Sequence, residues 1–315
     1  MFKEELIWWF KIVTWKHLLC NTKVFGCCSD ERSDYLIIGL PLEISTTYKT
    51  GTRFAPNRIR EASCNIEYFS LQTWTSLENI CFNDLGDVVV SPGDITSSLN
   101  NIEVVVKGIL EEYPNKKYFF IGGEHLITYP IVKAFTNYEG IDALVVFDAH
   151  TDLRYEYLGS RINHATVFRR LLEESSLNIL YIGSRALSLD ELSFIDEHRD
   201  VIKLIDPYTL YSAEDDLLSI IKNYIGGKKI YLSIDMDVFD PGYAPGVSNP
   251  EPLGIDPFIF LKSVKYVMES ASRIIGIDIV EVNPLMDVND ITSLLASKII
   301  FEIIALINRK HCTIQ

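Results

Sequence analysis

Eight short, nearly continuous apolar runs recur along the chain, at 35–40, 80–90, 117–121, 143–147, 178–183, 201–205, 229–234 and 273–280. Runs of this length without polar alternation read as strands covered on both faces. Segments of helical period separate most of them, at 56–62, 95–112, 164–174, 258–270 and 292–308. Asp256 followed by Pro257 has the form of an N-cap with proline at the first helical position. Strands alternating with helices predict a parallel sheet. Periodicity admits a closed eight-stranded barrel or an open doubly wound sheet, and both place functional groups at the carboxyl ends of strands.

No compositional shift, low-complexity linker or internal repeat divides the 315 residues. The expected organisation is an N-terminal extension, 1–30, followed by one domain, 31–315. Residues 2–19 combine Trp and Ile with Lys3, Glu4, Glu5, Lys11 and Lys16, and read as an amphipathic helix packing on the domain or on a neighbouring subunit. No stretch is expected to approach the roughly 20 apolar residues of a membrane span, so no membrane partner is expected. A net charge of −14 argues against nucleic acid as the main partner and mildly favours a cationic substrate. The cysteines at 20, 27, 28, 64, 81 and 312 show no zinc-type CxxC pair, and no secretory leader is expected. They are expected as free thiols in a cytoplasmic protein.

The chemistry concentrates where apolar runs end. Asp148, His150 and Asp152 follow the run 143–147 at spacing two, which puts all three on one face of an extended backbone. Asp235 and Asp237 end the run 229–234, and Gly122-Gly123-Glu124-His125 ends the run 117–121. Converging carboxylates repel one another unless cations intervene. Asp148, Asp152, Asp235 and Asp237 carry four negative charges that two divalent ions would offset. Oxygen and nitrogen donors without thiolate suit Mn²⁺. Of six histidines, His125 and His150 lie inside these motifs and His164 follows closely. His17, His198 and His311 lack such a setting and read as structural or surface residues.

The motifs GGEH (122–125), DAHTD (148–152), SIDMDVFDPGYAPGVSNPEPLG (233–254) and DIVEVNP (278–284), with GTRFAPNRIREAS upstream, resemble the ureohydrolase (arginase/agmatinase) family. The resemblance runs from about Tyr35 to the C-terminus. It implies the open form: a three-layer α/β fold with an open, parallel, eight-stranded sheet and helices on both faces. It also implies two Mn²⁺ ions per subunit and a homo-oligomer, trimeric or hexameric. His125 would bind one ion, His150 and Asp237 the other, with Asp148, Asp152 and Asp235 between them.

The implied reaction is water attack on a guanidinium carbon with expulsion of an amine. Asp152 would take the first proton, His164 would protonate the leaving amine, and Glu281 would pair with the guanidinium. Asp278 reads as a supporting residue, and Asp240 and Pro241 as shaping a closing loop. Glu124 stands where the family often has Asp, and Ala165 where a glycine is common. Arginases have an Asn at the place of Arg154, and the loop 155–163 lacks their Ser-Gly-Asn run. The expected substrate is therefore agmatine, with guanidinobutyrate and arginine as alternatives. A non-catalytic subunit of the same family would be expected to lose ligands, and all six are present.

Overall fold

A computed structural model describes residues 14–20, 22–213 and 216–309. Most of the helix read over 2–19, together with His311 and Cys312, lies outside the described residues. The strands are β1 (Leu19–Cys20), β2 (Tyr35–Leu40), β3 (Phe69–Ser70), β4 (Thr75–Ser76), β5 (Asn83–Val88), β6 (Lys117–Gly122), β7 (Ala143–Phe147), β8 (Asn178–Ile182), β9 (Ile202–Ile205), β10 (Lys229–Asp235) and β11 (Arg273–Val280). The helices are α1 (Ala55–Ser63), α2 (Ile95–Glu112), α3 (Thr128–Tyr138), α4 (Val167–Glu174), α5 (Leu189–Glu197), α6 (Pro207–Ser212), α7 (Leu217–Ile225), α8 (Pro257–Ser270) and α9 (Ile291–Arg309). The main sheet runs β1-β5-β2-β6-β11-β10-β7-β8-β9, and β3 pairs only with β4.

Alternate strand residues feed two cores, which makes three layers. Ala143, Val145 and Phe147 face a core shared with α1 and α6–α9. Leu144 and Val146 face the other, shared with α2–α5. Asp256 caps α8 as its sequence suggests, accepting from Phe258 N at 2.8 Å and Ile259 N at 3.0 Å.

The eight expected strands are present and mutually parallel. The sheet nevertheless has a ninth member, because β1 joins the edge of β5 antiparallel, with Leu19 opposite Val88. Where a helix was read through Leu19, the described residues form a short 3₁₀ turn, Trp15–Leu18, followed by strand. Pairing satisfies backbone groups that β5 would leave open at its edge. The turn is seated by Trp15 against α2, where a Cβ on Gly108 would meet Trp15 Cδ1 at 2.1 Å.

Two further expectations are corrected. The cysteines are not all free: Cys27 bonds Cys64 and Cys28 bonds Cys81, with Cα separations of 5.4 and 4.7 Å. Packing of the turn Phe25–Cys27 against α1 and the start of β5 brings these partners together across 37 and 53 residues. And α9 is long and apolar enough to cross a membrane, although no such stretch was expected. It is apolar because it lies inside the molecule, 67% buried.

The sheet order positions the site. β6, β11, β10 and β7 are consecutive neighbours at its centre. The four motif-bearing loops leave the carboxyl ends of these four strands, so residues more than 100 positions apart in sequence converge on one crevice.

Candidate metal centre

Three of the four proposed ligand carboxylates divide their oxygens between two tasks. Asp148 Oδ1 accepts from His150 N at 2.6 Å, Asp235 Oδ1 from Asp237 N at 2.9 Å, and Asp237 Oδ1 from Ala149 N at 3.0 Å. These bonds lock the two strand-end loops to themselves and to each other. The second oxygens point into the crevice. Asp148 Oδ2, Asp235 Oδ2 and Asp152 Oδ2 lie 3.0, 3.2 and 3.3 Å from His125 Nδ1. Asp237 Oδ2 lies 2.8 Å from His150 Nδ1. Two ligand sets share Asp148: His125, Asp148 and Asp235 form one, and Asp148, His150 and Asp237 the other. Asp152 lies beside the His125 set.

The donor set fits two cations. Three carboxylate oxygens surround His125 Nδ1, yet that nitrogen and Asp148 Oδ2 are buried without a hydrogen-bond partner. Buried polar atoms are rarely left so, and atoms converging without bonding each other are arranged around a third party. The electrostatics agree. Burial opposes charge on both imidazoles, but the carboxylates raise His125 and His150 well above their usual values. Burial pushes Asp152 up to about 7 and, with Asp237 and Asp148, pushes Asp235 well above the carboxylate range. Asp148 is held below that range by His125 and His150 despite its burial. Without cations the cluster is balanced by protons taken up on both imidazoles, Asp152 and Asp235, and two divalent cations would take over that role.

A second layer orients these ligands. Ser233 sits in register opposite Asp278 and donates to Asp278 Oδ1 at 2.6 Å, and its Oγ lies 3.0 Å from His125 Nε2. Thr128 and Tyr231 donate to Asp278 Oδ2 at 2.8 and 2.9 Å. On the other side, His150 Nε2 faces Asn249 Nδ2 at 3.0 Å and Glu251 Oε1 at 3.8 Å. Arg185 spends its donors on main-chain oxygens, among them Asp237 O at 2.9 Å, Glu251 O at 2.6 Å and Pro252 O at 3.0 Å. It pins the loop after β10 against β8. Asp240 shapes that loop by accepting from Gly242 N and Gly254 N at 3.0 and 3.2 Å.

The ligands open onto a cavity of about 500 Å³ that is also lined by His164, Glu281, Arg154, Glu251 and Tyr157. Glu281 Oε1 accepts from His125 N at 2.7 Å, and burial pushes its carboxyl up to about 8. Asp152 and Glu281 both hold positive φ, 49° and 64°, a sparsely populated backbone state for non-glycine residues. His164 begins a 3₁₀ turn whose cap is Asn163, and burial, with His150, lowers its imidazole to about 4.

All the expected site residues therefore share one crevice. His198 does not, as its Nδ1 lies 2.9 Å from Phe194 O and its ring packs on Phe194. Gly123 matters for close approach rather than for an unusual φ, because a Cβ there would meet Leu42 O at 2.1 Å. Ser45, Ser233, Arg185 and Asn249 went unremarked in the sequence. Ser233 alone carried a usable signal, being two residues before Asp235 on one strand and so on the same face.

Comparison with known proteins agrees with this geometry. Residues 33–306 match the Arginase family. The chain is 34% identical to the agmatinase of Bacillus subtilis over 279 residues, covering 87% of this chain and 92% of that protein. It is 32% identical to the mitochondrial guanidino acid hydrolase of Homo sapiens over 292 residues, covering 88% and 79%. The structure of proclavaminate amidino hydrolase from Streptomyces clavuligerus superposes with a TM-score of 0.82 at 27% identity, covering 93% and 99%. With the whole crevice assembled, two metal-binding ligand sets included, the chain belongs to the arginase family and is a ureohydrolase for a guanidino substrate.

Proposed function

We propose that the protein hydrolyses agmatine to putrescine and urea, using two Mn²⁺ ions per subunit. The observation that carries the choice of substrate is the pairing of Arg154. Its Nε lies 3.8 Å from Glu191 Oε2, and its guanidinium lies over the Tyr157 ring. With that positive charge matched, Glu251 keeps the rest of the cavity acidic, and Glu281, whose carboxyl burial pushes up to about 8, would ionise against an arriving guanidinium. Glu251 is held below its ordinary value by His150. An acidic cavity suits a substrate with a cation at each end.

His125, Asp148, Asp152, Asp235, His150 and Asp237 would hold the ions, which supply Lewis-acid activation of a water near neutral pH. Glu281 orients the planar guanidinium through paired charge-assisted hydrogen bonds. Asp152 accepts the proton that water releases on attacking the guanidinium carbon. The bond from that carbon to the alkyl nitrogen then breaks, the proton that Asp152 took passes by way of His164 to the departing amine, and urea remains. A low imidazole pKa makes protonated His164 a strong donor. Its removal in His164→Ala should lower kcat by roughly 10²–10⁴-fold with bound metal retained. Near-normal kcat would reassign His164 to a structural role.

A second reading is favoured by the same residue. Arg154 faces the cavity with 39% of its side chain exposed, and a carboxylate-tailed substrate such as guanidinobutyrate could compete with Glu191 for it. Urea release should be measured on agmatine, guanidinobutyrate and arginine after chelation and reloading with Mn²⁺, Co²⁺ or Zn²⁺. Agmatine with Mn²⁺ should give the highest rate. Arginine as best substrate would overturn the reading. The proposal also includes a homo-oligomer, trimer or hexamer, for which a monomer in sedimentation would be the contrary result; the two disulfides count against the cytoplasmic location expected from the cysteines.

A further inference from the structure

The residue before His125 stands apart from the ligand set although it is fully buried. Glu124 turns away from the ligand cluster and grips the loop after β2. Its Oε2 accepts from Ile44 N at 3.0 Å, Ser45 N at 2.7 Å and Thr46 Oγ1 at 3.3 Å. Its Oε1 lies 3.0 Å from Ser45 Oγ. The same Ser45 oxygen accepts from His164 N at 2.9 Å and lies 3.2 Å from His164 Nδ1. On its other side the His164 ring meets Tyr157 edge to face.

A serine hydroxyl has one proton to give and two lone pairs to receive. Against a carboxylate at Glu124, the Ser45 proton goes to Oε1. Both lone pairs then face His164, one receiving its backbone N–H and the other its ring. The ring nitrogen nearest Ser45 must therefore be Nδ1–H, which leaves Nε2 as the basic nitrogen that gains and gives the catalytic proton. We propose that Glu124 and Ser45 are positioning residues. Through a hydrogen-bonded chain of fixed polarity, they hold His164 in the tautomer its acid–base role requires. This rests on the reading of His164 as the proton donor to the leaving amine.

The polarity can be reversed without changing shape. In Glu124→Gln the carbonyl oxygen serves Ile44 N and Ser45 N, and the amide N–H₂ faces Ser45 Oγ. Ser45 must then give its proton to His164 Nδ1, and the wrong ring nitrogen becomes the acceptor. Ser45→Ala removes the link, while Ser45→Thr keeps a hydroxyl. The holoenzyme should lose about 10–100-fold in kcat in Glu124→Gln and Ser45→Ala, part of the roughly 10²–10⁴ that one proton-transfer group supplies. KM and metal content should stay within about threefold, and Ser45→Thr should recover most of the rate.

The deciding measurement is a double-mutant cycle with His164→Ala. If the chain acts through the imidazole, Glu124→Gln and Ser45→Ala should cost nothing further once the ring is gone. Independent, multiplying losses would overturn the proposal and make the pair mere loop supports. So would a kcat within twofold of wild type in Glu124→Gln. If Ser45→Ala does not fold, the isosteric Glu124→Gln cycle alone decides. A near-normal kcat in His164→Ala would instead sink the underlying assignment of His164, which keeps the two failures distinguishable.

Discussion

Asp278→Asn should weaken one metal site and spare the other. Asp278 is fully buried and accepts from Ser233, Thr128 and Tyr231. Because Ser233 gives its proton to Asp278, it receives from His125 Nε2–H, and Nδ1 presents a lone pair to the ligand cluster. Asparagine offers one acceptor oxygen, and Thr128 and Tyr231 both require it. Its amide N–H₂ then faces Ser233, whose proton is redirected to His125 Nε2. That forces the proton onto Nδ1, where a cation must bind.

Binding then costs roughly one charge-assisted hydrogen bond, about 1.5–3 kcal/mol. The matching loss is about 10–100-fold in affinity, the usual consequence of losing such an outer partner. Calorimetric titration of chelated protein with Mn²⁺ should show this loss in one of two binding steps. The step involving His150 and Asp237 should change little. Ser233→Ala should behave similarly, since it leaves His125 Nε2 without its acceptor. If both affinities in Asp278→Asn stay within twofold of wild type, in protein of unchanged Tm, the tautomer argument is refuted.

Three other outcomes are expected. Without reductant, iodoacetamide should reach Cys20 but not Cys27, Cys28, Cys64 or Cys81; closing loops of 37 and 53 residues is worth about 4 kcal/mol each and less together, so reduction should lower Tm. Full alkylation in protein taken directly from its cells would show the disulfides unformed and favour a reducing cytoplasm. Chelated protein should lose Tm as pH rises from about 6 to 8, because raised His125 and His150 stabilise below about 6.5 and lose that contribution on deprotonation, and raised Asp152 adds the same sign up to about 7; Asp148, held low, acts only in more acid solution, and a flat profile would count against the cluster's electrostatics. Agmatine should exceed arginine in kcat/KM by at least about 10²-fold, since Arg154, the one Lys or Arg lining the cavity among the described residues, is paired with Glu191; guanidinobutyrate preference lost in Arg154→Ala would instead favour the carboxylate-tailed substrate.

The periodicity of apolar residues was enough to locate the eight parallel strands, and the spacing of Asp148, His150 and Asp152 already placed three side chains together. These are local properties, because one strand determines its own faces and one strand end its own ligands. Which strands become neighbours is not local. The order β6-β11-β10-β7 brings His125 to Asp148 and Ser233 to Asp278, and it arises from packing two layers of helices against a twisted sheet. The antiparallel β1 and the pairings of Cys27 and Cys28 were illegible for the same reason: each depends on a surface that exists only once α1, α2 and β5 have assembled. Glu124, Ser45 and His164 show the limit most clearly. Their types and order are written in the chain, but a hydrogen bond's direction depends on every donor and acceptor within about 3 Å, and only the folded molecule brings those atoms together.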